Sequence, residues 1–179
     1  YYNAIKADAA LKDIPVYNLS IGYNDSADYA NLGNMSGSTD YANSHAYVST
    51  GLTPETALEQ LLGNATSVTG GKPVVITETG YTTKSDTPYV GASENVQAKS
   101  ILNTLVDAYK DGVSTTYLYQ LLDASASNDP THPESHWGLF NADGTPKLAA
   151  TAVHNLTTIL ADDGKGGHTP TASLNYTLD

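Results

Sequence analysis

Glu78 is the residue whose type and position most directly suggest chemistry. It follows Val74-Val75-Ile76-Thr77, an apolar and β-branched run, and precedes Thr79-Gly80-Tyr81. Such a run reads as a strand of a buried parallel sheet. In parallel α/β folds the reacting groups gather at the carboxyl ends of strands, so a carboxylate here is either a strand-end cap or a catalytic group. As a catalytic group it would serve as nucleophile or general base. Other acids cluster later: Asp123, Asp129 and Glu134 share a loop with His132 and His136. His132, Glu134 and His136 fall at i, i+2 and i+4, a spacing that could set metal ligands on one side of an extended segment. Pro130 and Pro133 interrupt that segment. The plainer reading is a solvated loop, and no metal and no cofactor is expected.

Several chemistries are excluded by composition. The 179 residues contain no cysteine, which removes disulfides, thiolate metal sites and thiol nucleophiles. No Gly-x-Ser-x-Gly elbow occurs. Gly70-Gly71-Lys72 precedes a strand instead of opening a helix, so it is no phosphate loop. The formal net charge is −11, which repels nucleic acid and anionic membrane surfaces alike. No apolar run approaches the ~18 residues that span a bilayer. Ser, Thr, Asn, Gly and Tyr dominate the uncharged part, with 13 Tyr against one Phe. That composition suits a secreted protein handling neutral polar ligands such as sugars.

The elements that must position Glu78 alternate between two periods. Helices are expected over 2–12, from Pro54 to a stop at Gly63, from a Ser93 cap to Lys110, and from Pro146 to about residue 161. Strands are expected over 16–22, 41–48, 74–77 and 113–122, and a short helix near 27–32. Alternating β and α means a parallel sheet covered by helices. A doubly wound sheet and a (β/α)8 barrel both fit this order. A whole barrel needs ~200–250 residues and eight strands. One domain over 1–161, with four βα units, is therefore expected to be the C-terminal half of a barrel, its strands 5–8. Residues 162–179 read as a Gly-rich linker and the start of a following β domain. The chain begins Tyr1-Tyr2-Asn3 without Met, and a processed or truncated product is expected.

Val75-Ile76-Thr77-Glu78-Thr79-Gly80-Tyr81 resembles the nucleophile strand of the retaining (β/α)8 glycoside hydrolases, the superfamily known as clan A. Ser44-His45-Ala46-Tyr47 resembles the preceding strand end, where a His and a Tyr line the sugar subsite. The stretch from Trp137 to Lys147 resembles the segment between the eighth strand and its helix. The resemblance spans roughly 1–161. It implies Glu78 as nucleophile, and His45, Tyr47, Tyr81 and Trp137 as substrate-binding residues on an oligo- or polysaccharide of β-linked sugars. Tyr47 is the candidate for a hydrogen bond that keeps Glu78 ionised and aimed. Each residue also has a plainer role: His45 and Tyr47 as core residues, Trp137 as a cover on the rim.

One departure matters. Retaining hydrolysis needs a second carboxyl group ~5–5.5 Å from the first. In the superfamily this acid/base follows an Asn on the fourth strand, and no Asn-Glu pair occurs in the chain. Asp123, Asp129 or Glu134 would have to substitute, or a missing N-terminal half would supply it. A non-catalytic carbohydrate-binding or structural half-barrel is the alternative. Four parallel strands leave two open edges, which a homodimer would close about a two-fold axis.

Overall fold

The computed structural model describes residues 1–22, 25–48, 53–84, 91–124 and 133–161, with the side chains of Pro133 and Glu134 excepted. The proposed linker and β segment over 162–179 lie outside the described residues.

A three-stranded parallel sheet forms the centre: β1 (Ala42–His45), β2 (Val74–Thr79) and β3 (Thr115–Leu118), in the order β1-β2-β3. Strand order follows chain order without reversal. A doubly wound sheet reverses at its switch point, whereas a barrel wall does not. Helix α3 (Pro54–Ser67) joins β1 to β2, and α4 (Glu94–Lys110) joins β2 to β3. Helix α5 (Leu148–Ile159) packs beside α4. The core lies between sheet and helices. Ile76 and Ala46 meet Leu58 and Leu62 of α3, Ala98 and Ile101 of α4, and Ala149 of α5. Ile76 and Ile101 are fully enclosed, a burial that contributes ~1.5–3 kcal/mol for each.

Local chemistry accounts for the element ends. Ser93 Oγ accepts from Val96 N–H at 3.4 Å and opens α4; Gly112, at φ 76°, closes it. Pro54 takes the first turn of α3, but the Thr53 hydroxyl meets that of Thr56 and leaves the backbone uncapped. Gly63 does not stop α3. The helix runs on to Ser67, and the chain turns instead at Gly70 and Gly71, both with positive φ.

The N-terminal expectations are only partly met. Helix α1 covers Tyr2–Ala7 and buries no residue. The Asp8 carboxylate accepts from Ala10 N–H at 2.8 Å, and the chain continues as turns. The strand expected over 16–22 is reduced to one parallel bridge, Tyr17 to Tyr41, on the free side of β1. Asp40 ties this corner together. Its carboxylate accepts from Tyr2 Oη at 2.8 Å, Val16 N–H at 2.7 Å and Lys6 Nζ at 2.7 Å. Helix α2 (Ser26–Leu32), capped by Asp25 Oδ1 on Ala27 N–H at 2.7 Å, packs against α3 and reaches β1 through Tyr29, whose hydroxyl donates to Asn43 carbonyl oxygen at 3.1 Å.

Candidate active site

Glu78 lies at the carboxyl end of β2, and a bulge decides where it points. Ser44 pairs with Ile76 and His45 pairs with Glu78, so β2 advances two residues while β1 advances one. On the other side Ile76 pairs with Thr116 and Thr79 with Leu118, three steps against two. One extra residue therefore sits in β2 against both neighbours. Plain alternation would place Glu78 on the face of Val74 and Ile76, against the helices. The bulge turns it to the opposite face. It also sets Thr79 and Tyr81 towards the helices and Gly80 towards the site.

On the turned face, Tyr47 Oη donates to Glu78 Oε2 at 3.0 Å, and His45 Nδ1 lies 3.4 Å from the same oxygen. The Glu78 side chain keeps 38% of its exposure, so it remains open to a ligand. Thr79 fixes the strand end from behind, its hydroxyl donating to Ala46 carbonyl oxygen at 2.6 Å. Beneath the site, Thr77 Oγ1 donates to Asn43 Oδ1 at 2.7 Å and ties β2 to β1.

Trp137 forms the wall on the far side. Its ring meets Tyr47 edge-on, with centroids 5.2 Å apart and planes at 75°. Tyr119, just beyond β3, meets Trp137 at 6.5 Å. Gly80 makes this closeness possible: a Cβ there would fall 2.1 Å from Tyr119 carbonyl oxygen and 3.6 Å from Trp137 Cε3.

The structure thus brings together Glu78, His45, Tyr47 and Trp137. It does not bring Tyr81 to them. The Tyr81 ring is buried in the core against α4, on the other side of the strand from the face expected to bind sugar. It lies three positions after Glu78, so after the bulge it has the opposite orientation. Burial pushes its hydroxyl pKa up, with Thr104 and Ser100 close enough to oppose that but not in hydrogen-bond geometry.

Asp123 is likewise no spare acid. It is buried, bonded to Lys147 Nζ at 2.8 Å and to Gly138 N–H at 2.6 Å. Asp129, His132 and the side chain of Glu134 lie outside the described residues. Among the described residues no three His, Asp or Glu side chains gather as a metal site. Tyr119, Gln97 and Lys147 join the site's surroundings without being expected from the sequence. An aromatic at the end of a predicted strand was the available signal for Tyr119. Gln97 and Lys147 carry no local signal.

Among solved structures, the fold is similar to that of a GH2 β-galacturonidase from Eisenbergiella tayi (TM-score 0.64, 20% identity, 90% of this chain and 29% of that one). It is also similar to the glycoside hydrolase family 17 β-1,3-glucanosyltransferase from Rhizomucor miehei (TM-score 0.64, 19% identity, 82% and 53%). An endo-laminarinase from Formosa gives TM-score 0.62 at 16% identity, over 86% of this chain and 50% of that one. The chain spans between 29% and 53% of the length of these structures. No protein-family model and no curated protein matches it. At such identities the likeness establishes the fold, which is glycoside hydrolase-like: helices over a parallel sheet, with the candidate site at the carboxyl ends of its strands.

Proposed function

We propose that this chain is the C-terminal, nucleophile-bearing half of a retaining (β/α)8 glycoside hydrolase of the clan A type, acting extracellularly on β-linked glycans. The observation that carries the reading is the Glu78 carboxylate at a parallel strand end, held at Oε2 by the Tyr47 hydroxyl 3.0 Å away. With Oε2 so engaged, Oε1 attacks the anomeric carbon. The C1–Oε1 bond forms as the glycosidic C1–O bond breaks, and the departing oxygen takes a proton from an acid. Water then takes C1, giving its proton to that same group and releasing Glu78. Trp137 and His45 flank the sugar bound over Glu78.

The acid/base partner comes from a complementary half. Three features support this. No Asn-Glu pair occurs, Asp123 is consumed by Lys147, and the chain spans about half of two of the structures it resembles. Among the described residues the sheet ends at β3 on one side and at the Tyr17–Tyr41 bridge on the other, with only the short ladder of 137–140 along 120–122 past the end of β3. Tyr117 is 51% and Leu121 68% exposed on one side, and Leu19 is 61% exposed on the other. Two of the similar structures are a β-1,3-glucanosyltransferase and an endo-laminarinase, so laminaritriose and laminarin are the first substrates to test. Hydrolysis is measured in the whole protein, complementary half included, for Glu78→Gln against the parent. A loss of at least ~10³-fold with an unchanged fold supports the reading, and unchanged turnover rejects it.

A further inference from the structure

We infer that Asp123, Lys147 and Gln97 form a buried clamp on the Gly138 peptide that positions Trp137 for sugar binding, an inference that rests on the glycosidase reading above. Gly138 N–H donates to Asp123 Oδ1 at 2.6 Å, and Gly138 carbonyl oxygen accepts from Gln97 Nε2 at 3.4 Å. Both bonds lie one residue from the Trp137 wall. Gln97 Nε2 also donates to Tyr81 carbonyl oxygen at 2.7 Å, so one amide joins the exit of the Glu78 strand to the Trp137 segment. Lys147 Nζ meets both carboxylate oxygens of Asp123 at 2.8 Å and fixes the acceptor.

The three side chains come from different elements and are all enclosed. Gln97, on α4, has no exposure; the side chains of Lys147 and Asp123 keep 2% and 8%. The fit around the peptide is tight. A Cβ on Gly138 would fall 2.3 Å from Asp123 N and 2.4 Å from Phe140 carbonyl oxygen. Stability alone does not account for an ion pair here, because desolvating two charges offsets most of their attraction and an apolar pair of similar volume is often as stable. What the pair supplies is direction: a charge-assisted acceptor held on one peptide N–H. That peptide sets where the Trp137 ring meets Tyr47, and Tyr47 holds Glu78.

Two paired variants test the clamp in the whole protein. Asp123→Leu with Lys147→Met removes both charges and the acceptor at similar volume. Asp123→Asn with Lys147→Gln removes the charges but keeps an acceptor for Gly138 N–H. Trp137 is the single tryptophan of these 179 residues, so in the whole protein the fluorescence and near-ultraviolet circular dichroism that Trp137→Phe removes report its setting without sugar or turnover. The Leu/Met pair is expected to shift both signals and to weaken laminaritriose binding about tenfold through KM, with kcat changed less. The Asn/Gln pair is expected to restore them. Gln97→Met cuts the other arm, is expected to shift the same signals, and replaces the Leu/Met pair if that fails to fold. Parent-like Trp137 signals and affinity in the folded variant overturn the clamp, as does an Asn/Gln pair no better than Leu/Met. Unchanged hydrolysis in Glu78→Gln would strike the glycosidase reading instead, and the sugar-free Trp137 signals would still judge the clamp.

Discussion

Ile76 and Glu78 stand two residues apart on one strand, yet their side chains leave opposite faces of the sheet. Ile76 is enclosed beneath α3 and α4, while Glu78 meets Tyr47 on the far side. The extra residue in β2 makes the difference. Without it the carboxylate would enter the apolar core, where an unpaired charge costs far more than the strand gains. The same step sends Tyr81 inward and clears Gly80 for the aromatic wall.

Tyr47→Phe should lower kcat/KM about 10–100-fold with the fold intact. A hydrogen bond to a charged group is worth ~1.5–3 kcal/mol, and each ~1.4 kcal/mol is a factor of ten. Steady-state kinetics on an aryl β-glucoside and on laminarin would measure it. An effect confined to KM would mean that Tyr47 serves binding and not the carboxylate.

Trp137 should report sugar directly. Laminaritriose is expected to change its emission, and Trp137→Ala should weaken binding about tenfold. Calorimetry showing binding with no change in fluorescence would place the sugar elsewhere.

Gly80→Ala should damage site and stability together, because its Cβ would meet backbone 2.1 Å away and the backbone must move. Overpacking of this kind costs ~1–3 kcal/mol. The check is a thermal melt alongside laminaritriose affinity. A parent-like melt and affinity would show that Tyr119 and Trp137 do not press on Gly80.

Acid should loosen the N-terminal corner through Asp40. Partial burial would raise its carboxyl pKa, but hydrogen bonds from Lys6, Val16 N–H and Tyr2 outweigh that and lower it from 3.8 to about 2. A group depressed in the folded state stabilises fully above its unfolded pKa and ceases to do so as pH falls through the folded one. The stability advantage of the parent over Asp40→Asn should thus be complete above pH 3.8 and gone near pH 2. Melts across that range decide; an advantage that persists below pH 2 would contradict the assignment.

Much of the scaffold could be read from local chemistry. The β-branched run before Glu78, the Ser93 cap and Pro54 each act within a few residues, and the structure has a strand or helix at each. Gly63 misled because an isolated glycine inside a helix costs only ~1 kcal/mol, which the buried face of α3 outweighs. The apolar residues of α4 include Val96 and Val106, yet both are exposed, since the neighbours of the helix and not its own pattern choose the buried face. The register of β2 against two partners is a property of three strands, so neither the bulge nor the fate of Tyr81 was visible in one. Asp123 and Lys147 are 24 residues apart with no periodicity linking them. Of the three acids that could substitute as catalyst, Asp123 is instead half of a buried pair.

Retaining hydrolysis by this site requires Glu78 to bond to sugar carbon, and covalent trapping tests that most directly. A 2-deoxy-2-fluoro β-glycoside with a dinitrophenolate leaving group needs no proton from an acid, and its fluorine slows release of the glycosyl-enzyme. Peptide mapping by mass spectrometry after incubation with the whole protein should find one added sugar, on the peptide bearing Glu78, and none in Glu78→Gln. A sugar carried by any other residue, or none on a protein that still hydrolyses the unfluorinated glycoside, would contradict it.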